Sequence, residues 1–231
     1  IAHVRTDAAP SETAKAGAGH VNVYSHRHYP IDKVLFRRFE ERTGIKVFVI
    51  KANADELIKR LEREGAHSAA DVLITVDAGR LYRAQSKGLL QKVTSDVLTA
   101  NIPAQFRHPQ GFWFGLTMRA RVIVYSKERV EAKDLSTYEA LTDAKWRGKV
   151  LVRSSANIYN QSLVASMIAH NGKEASAAWA GDMVAAMARR PKGKDRDQIK
   201  AVAAGIGDVA LVNTYYLGLM LNSKIAADRA S

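Results

Sequence analysis

The chain contains no cysteine. That excludes disulfides, thiolate metal sites and a cysteine nucleophile. It leaves the compartment open, because an exported chain can also do without disulfides. No apolar stretch approaches the ~20 residues that a membrane-spanning helix needs. No basic segment leads into an apolar core of ~7–15 residues, so no intact signal peptide is read; a mature exported protein and a cytoplasmic one look alike in this respect. The patterns GxxxxGK[ST], GxSxG and GxGxxG are missing, and with them the common nucleotide and serine-hydrolase signals. Of the seven histidines, no two stand four apart on a helical pattern, which argues against a zinc enzyme. No internal repeat is visible.

What is present suits a globular protein of one large domain or two small lobes: 231 residues, 47% hydrophobic and 25% charged. The formal net charge of +12 admits nucleic acid, an anionic surface or an acidic partner. The basic residues are nevertheless dispersed. Their densest run, from Arg189 to Arg196, contains Pro191 and Gly193 and reads as a solvated loop. Residues 1–20 are rich in Ala, Gly, Ser and Thr and read as a flexible leader.

Apolar patterning predicts alternating strands and helices. Strands are expected at 21–24, 45–50 and 71–76, with helices at 31–43, 54–65 and 78–87. This rhythm predicts a parallel α/β sheet. A second unit follows, with strands at 119–125, 149–153 and 208–212. Its helices are expected at 138–146, 158–170, 175–188 and 198–204.

The chemistry concentrates in tyrosine. Tyr215 and Tyr216 stand where the last apolar strand stops. Tyr29 follows His28 at a predicted strand-to-helix junction. Tyr159 follows Ser154, Ser155 and Asn157 at a predicted helix N-terminus. Four phenols can converge on one hard cation, and phenolate oxygen suits Fe3+. Each phenol titrates near pH ~10, so ionising one at neutral pH costs about 4 kcal/mol, which only a strongly polarising ion offsets several times over. The segment 154–157 also reads as a helix cap, with Ser155 or Asn157 capping, and such an end attracts anions. A binding protein for an oxyanion or small organic anion, using that helix end and Arg119, is therefore the alternative reading. A basic nucleic-acid binder accounts for the charge but not for the tandem tyrosines.

Several long segments, in order, resemble the periplasmic ferric-iron-binding proteins of bacterial ABC importers. They are Tyr24 to Tyr29, Asp71 to Leu81, Trp113 to Tyr125, Ser154 to Gln161, Pro191 to Gln198, and Asn213 to Tyr216. The resemblance runs from about Val21 to Leu217. It implies a two-lobe type II periplasmic-binding-protein fold with a transferrin-like cleft. A first lobe would span 21–117, with 218–231 returning to it, and a second lobe 118–217. It implies tyrosinate ligands at Tyr29, Tyr159, Tyr215 and Tyr216, with His28 as an additional candidate. Arg119, Ser154, Ser155 and Asn157 would line the site or hold a synergistic anion such as carbonate. Three phenolates neutralise Fe3+; Arg119 or a protonated His28 would balance a fourth. The implied protein is a monomer that closes its lobes around Fe3+ and delivers it to an inner-membrane permease. It is periplasmic, and neither an enzyme nor a nucleic-acid binder. Relatives often carry a cysteine pair at positions matching Leu151 and Ile206, and some carry an arginine at Leu219. They also continue past Ser231 for roughly another third of this length, so the chain is expected to be truncated at its C-terminus.

Overall fold

The computed structural model describes residues 2–3 and 19–226, so most of the stretch read as a leader lies outside the described residues. Two compact units divide the chain, Ile1–Thr117 and Met118–Ser231. The first comprises strands β1 (Ala2–His3), β2 (His20–Ser25), β3 (Lys46–Lys51) and β4 (Val72–Ile74), and helices α1 (Pro30–Thr43), α2 (Ala54–Glu64), α3 (Ala78–Ser86) and α4 (Asp96–Asn101). Its sheet has the order β1-β4-β2-β3. β2 pairs parallel with both β3 and β4, as the alternation of strand and helix predicts. Ala2 and His3, read as leader, instead pair antiparallel with Leu73 and Val72. Ala2 is buried, so the sheet gains a covered position there.

Local signals set the helix ends. Pro30 opens α1 with the φ that a first helical residue needs. Gly44 closes it at φ 72°, a left-handed conformation that glycine adopts without a Cβ clash. Asn53 caps α2 by accepting from the Asp55 N–H, and Leu57, Ile58 and Leu61 fill the core, as their spacing predicts. α1 behaves differently. Its spacing identifies a helix, yet Ile31, Leu35 and Phe39 are exposed and its one buried residue is Asp32.

The second unit comprises β5 (Arg121–Tyr125), β6 (Val150–Leu151) and β7 (Val209–Asn213), with α5 (Ile158–Asn171), α6 (Lys173–Ala186), α7 (Asp195–Ala203) and α8 (Thr214–Leu221). The sheet order is β5-β7-β6, with β5 antiparallel and β6 parallel to the central β7. All five residues of β7 are buried. Val209 and Leu211 pack with Trp146, Val150, Met167, Trp179 and Met183. Ala210 and Val212 pack on the other face with Leu151, Ile199, Val202 and Met220. Alternating side chains thus enter two cores, which is why β7 is apolar throughout.

Some expected elements change. The helix expected over 138–146 is two short 3₁₀ turns, Glu139–Thr142 and Ala144–Trp146. α7 begins at Asp195, three residues before the expected start. α4 and α8 were not read from the sequence. Gly218–Leu221 continue α8, and Met220 is buried in the second unit's core. Of the two positions matching that cysteine pair, Leu151 is buried and Ile206 is 46% exposed. Among the described residues no helix is long and apolar enough to cross a membrane.

Leu211 is central to the larger core of the second unit. Leu211→Ala should cost about 2–5 kcal/mol through lost burial and a residual cavity. Urea denaturation followed by tryptophan fluorescence measures it, since Trp146 and Trp179 lie in the same cluster. A loss under about 1 kcal/mol would contradict the two-faced burial of β7.

Candidate metal centre

The buried strand β7 ends at Asn213, and the chain turns directly into α8. Tyr215 and Tyr216 therefore occupy the first turn of a helix, not the free end of a strand. Their ring centroids are 4.3 Å apart, tilted by 36°. α5 starts at Ile158, which puts Tyr159 in its first turn as well. The Tyr215 hydroxyl lies beside those of Tyr159 and Tyr216, close enough for both to bear on its ionisation. Three of the four tyrosines singled out in the sequence thus converge, each half-buried.

Two cations flank this cluster. The Arg119 guanidinium lies 5.2 Å from the centroid of the Tyr159 ring, and that of Arg153 lies 5.6 Å from it. Both are within the range of cation–π attraction. Burial pushes the Tyr215 phenol well above its ordinary pKa, and its hydrogen bonds to Tyr159 and Tyr216 add to this, while Asn213 acts in the opposite sense. Burial also raises Tyr216, opposed by Tyr215 and Arg153 and reinforced by the nearby Tyr159 and Asp195. At neutral pH both are therefore neutral phenols. Only a strong positive charge at their oxygens would drive the protons off.

The helix end at 154–157 is largely occupied by its own chain. Asn157 Oδ1 accepts from the Tyr159 N–H at 3.0 Å, and Ser154 Oγ accepts from the Ala156 N–H at 3.2 Å. Asn157 is the cap; Ser154 and Ser155 are exposed.

The sequence reading missed a polar cluster behind the tyrosines. Asp195, fully buried, accepts from Arg121 Nη1 at 2.8 Å, Arg153 Nη1 at 3.1 Å and the Asn213 N–H at 2.8 Å. Arg121 Nη2 also donates to Asn160 Oδ1 at 2.7 Å, and Asn160 Nδ2 donates to the Arg153 carbonyl at 2.7 Å. The signal available was an acidic residue inside the basic run 189–196. The run is a loop up to Lys194, held by Gln198 Nε2 donating to the Lys192 and Lys194 carbonyls, and Asp195 and Arg196 open α7.

In the first unit the His28 and Tyr29 rings stack at 5.0 Å, and the Arg27 guanidinium lies 5.1 Å from the Tyr29 ring. Asp32 accepts from Arg27 Nε at 3.0 Å and from the Tyr29 N–H at 3.3 Å, which holds the start of α1. His28 is exposed and Tyr29 half-buried. Among the described residues no three His, Asp or Glu side chains gather to hold a metal. The oxygen-rich groupings are those of the tyrosines.

Residues 67–228 match the model of a family described as bacterial extracellular solute-binding protein. Iron uptake protein A1 of Synechocystis is 51% identical over 91% of this chain and 58% of its own length. A Trichodesmium protein (IdiA, FutA), solved in complex with iron and citrate ligands, superposes with a TM-score of 0.89 at 51% identity, over 92% of this chain and 67% of that one. A ferric binding protein from Campylobacter jejuni superposes with a TM-score of 0.84 at 43% identity, over 91% and 67% of the respective chains. The chain spans 58% and 61% of the length of the two Synechocystis iron uptake proteins that it matches.

The raised phenols carry a pH signature. Above about pH 10 the unfolded chain sheds tyrosine protons that the folded chain keeps, so stability falls as pH rises through this range. Tyr24 and Tyr138 are raised too, chiefly by burial, and contribute to the same slope. Tyr215→Phe and Tyr216→Phe should each make the alkaline loss of stability shallower without abolishing it. Urea midpoints measured from pH 8 to 12 test this; an unchanged slope in both variants would contradict the burial of these phenols.

Proposed function

We propose that this chain, which belongs to the bacterial extracellular solute-binding protein family, captures ferric iron through tyrosine phenolates for delivery to an ABC-type membrane permease. The observation that carries the reading is the convergence of the Tyr159, Tyr215 and Tyr216 hydroxyls. Protonated phenols are weak ligands. Each becomes a hard anionic donor once a trivalent ion displaces its proton, and three such donors balance Fe3+. Arg119 and Arg153, set over the Tyr159 ring, lower the cost of gathering negative charge there. The names of the relatives support the choice of iron, and the family supports a periplasmic location. A synergistic anion such as carbonate would take the coordination that the phenols leave. The protein's task in this reading is binding and release, with no bond made or broken in a substrate.

The phenolates make the reading visible, because tyrosinate bound to Fe3+ absorbs visible light. Ferric citrate added to the apo protein should produce a red-brown band. Tyr215→Phe and Tyr216→Phe, which remove one oxygen and keep the ring, should weaken or shift it and lower affinity by more than about 100-fold. A colourless wild type, or unchanged colour and affinity in both variants, would overturn the assignment. Capture of an oxyanion without colour would select the anion-binding alternative.

Binding must also expel protons. More than one should be released per iron, after correction for iron hydrolysis and for the chelator. Affinity should fall as pH falls, because protons compete for the same oxygens. Corrected release near zero, measured by pH-stat titration, would contradict phenolate ligation.

A further inference from the structure

We propose that Asp195 is the positioning residue that holds the three converging tyrosines in one arrangement. This rests on the ferric reading of that cluster. Three separate connections lead from its carboxylate. Through Arg153 Nη1, at 3.1 Å, it anchors a guanidinium that lies 5.6 Å from the Tyr159 ring. Through Arg121 Nη1, at 2.8 Å, it fixes an arginine whose other nitrogen donates to Asn160, the residue beside Tyr159 in the first turn of α5. Through the Asn213 N–H, at 2.8 Å, it pins the residue from which α8, with Tyr215 and Tyr216, springs. The same Arg121 Nη1 also donates to Asn213 Oδ1 at 3.2 Å, which ties the second and third connections together.

The cluster is built to be rigid. The Asp195 side chain is 0% exposed, that of Arg121 7% and that of Arg153 14%. A buried carboxylate between two buried guanidiniums cannot drift, because any lost partner leaves an uncompensated charge in a medium of low polarity. Asp195 is also the first residue of α7, where a negative charge complements the helix dipole. Two arginines against one aspartate leave one positive charge in excess, and of the two the Arg153 guanidinium lies 5.6 Å from the Tyr159 ring. The tyrosines gain fixed positions and a fixed cation from a residue that does not itself reach the metal.

A role that is merely structural would lower stability and leave the bound iron unaltered. The test therefore compares two ion pairs of the same unit. Asp195→Asn removes the central charge. Arg153→Met removes one of the two cations over Tyr159 and leaves Asp195 its other two partners. Asp208→Asn breaks the pair with Arg129, at 2.8 Å, which has no contact with the tyrosines. Each protein is loaded with ferric citrate, its visible band recorded, and its iron stripped with excess EDTA. Near-UV circular dichroism of the apo forms reports the tyrosine arrangement without iron. Asp195→Asn and Arg153→Met should shift the band, change the apo tyrosine signal and speed iron loss by about 10-fold or more. Asp208→Asn should do none of these. If Asp195→Asn fails to fold, Arg153→Met decides. A wild-type band and release rate in every folded variant would overturn the assignment, as would an equal shift in Asp208→Asn. A wild type that shows no band overturns the ferric reading itself, which is a separate result.

Discussion

The burial of β7 on both faces is the constraint on which the second unit depends. A strand with two apolar faces must sit at the centre of its sheet, and β7 pairs there with β5 and β6. Such a strand must also end abruptly, since its next residues leave the core. It ends at Asn213, whose N–H is satisfied by Asp195 and whose side-chain oxygen is satisfied by Arg121. The chain then turns into α8 and delivers two adjacent tyrosines at a rigid place. The parallel neighbour β6 leads through 152–157 to the start of α5, and so to Tyr159. The three phenols meet because two elements that begin at neighbouring strand ends both turn into helices there.

Electrostatics decides what such a cluster can hold. Burial opposes ionisation of Tyr215 and Tyr216, and hydrogen bonds among the phenols add to that for Tyr215. The resting state is neutral and proton-rich. A monovalent or weakly polarising cation gains too little from a phenolate to offset about 4 kcal/mol for each proton displaced. A small trivalent ion gains enough. Under the proposed ferric reading, selectivity for Fe3+ follows from the cost of preparing the ligands, and release from giving the protons back.

Much of this was legible in the sequence, and the gaps have physical causes. The parallel sheet of the first unit and the core face of α2, with Leu57, Ile58 and Leu61, followed from apolar spacing. α1 was legible as a helix but not in its burial, because periodicity shows that a face exists and not what covers it; Ile31, Leu35 and Phe39 stay exposed. α8 was missed because its residues, Thr214 to Leu221, are apolar nearly throughout and show no helical period. The tyrosines themselves stood out by adjacency and by their places at element ends. Asp195, Arg121 and Arg153 did not, because their partners are 18 to 92 residues apart in sequence. Only the folded register of β5 against β7, with Arg121 opposite Asn213, brings them together.

The claim that matters most is that one ferric ion takes its ligands from these phenols. Anomalous diffraction at the iron edge, from crystals of the iron-loaded protein, tests it directly. The expected result is one strong peak within bonding distance of the Tyr159, Tyr215 and Tyr216 hydroxyl oxygens. A peak held by surface histidines or carboxylates, with the three phenols still hydrogen-bonded to one another, would contradict it.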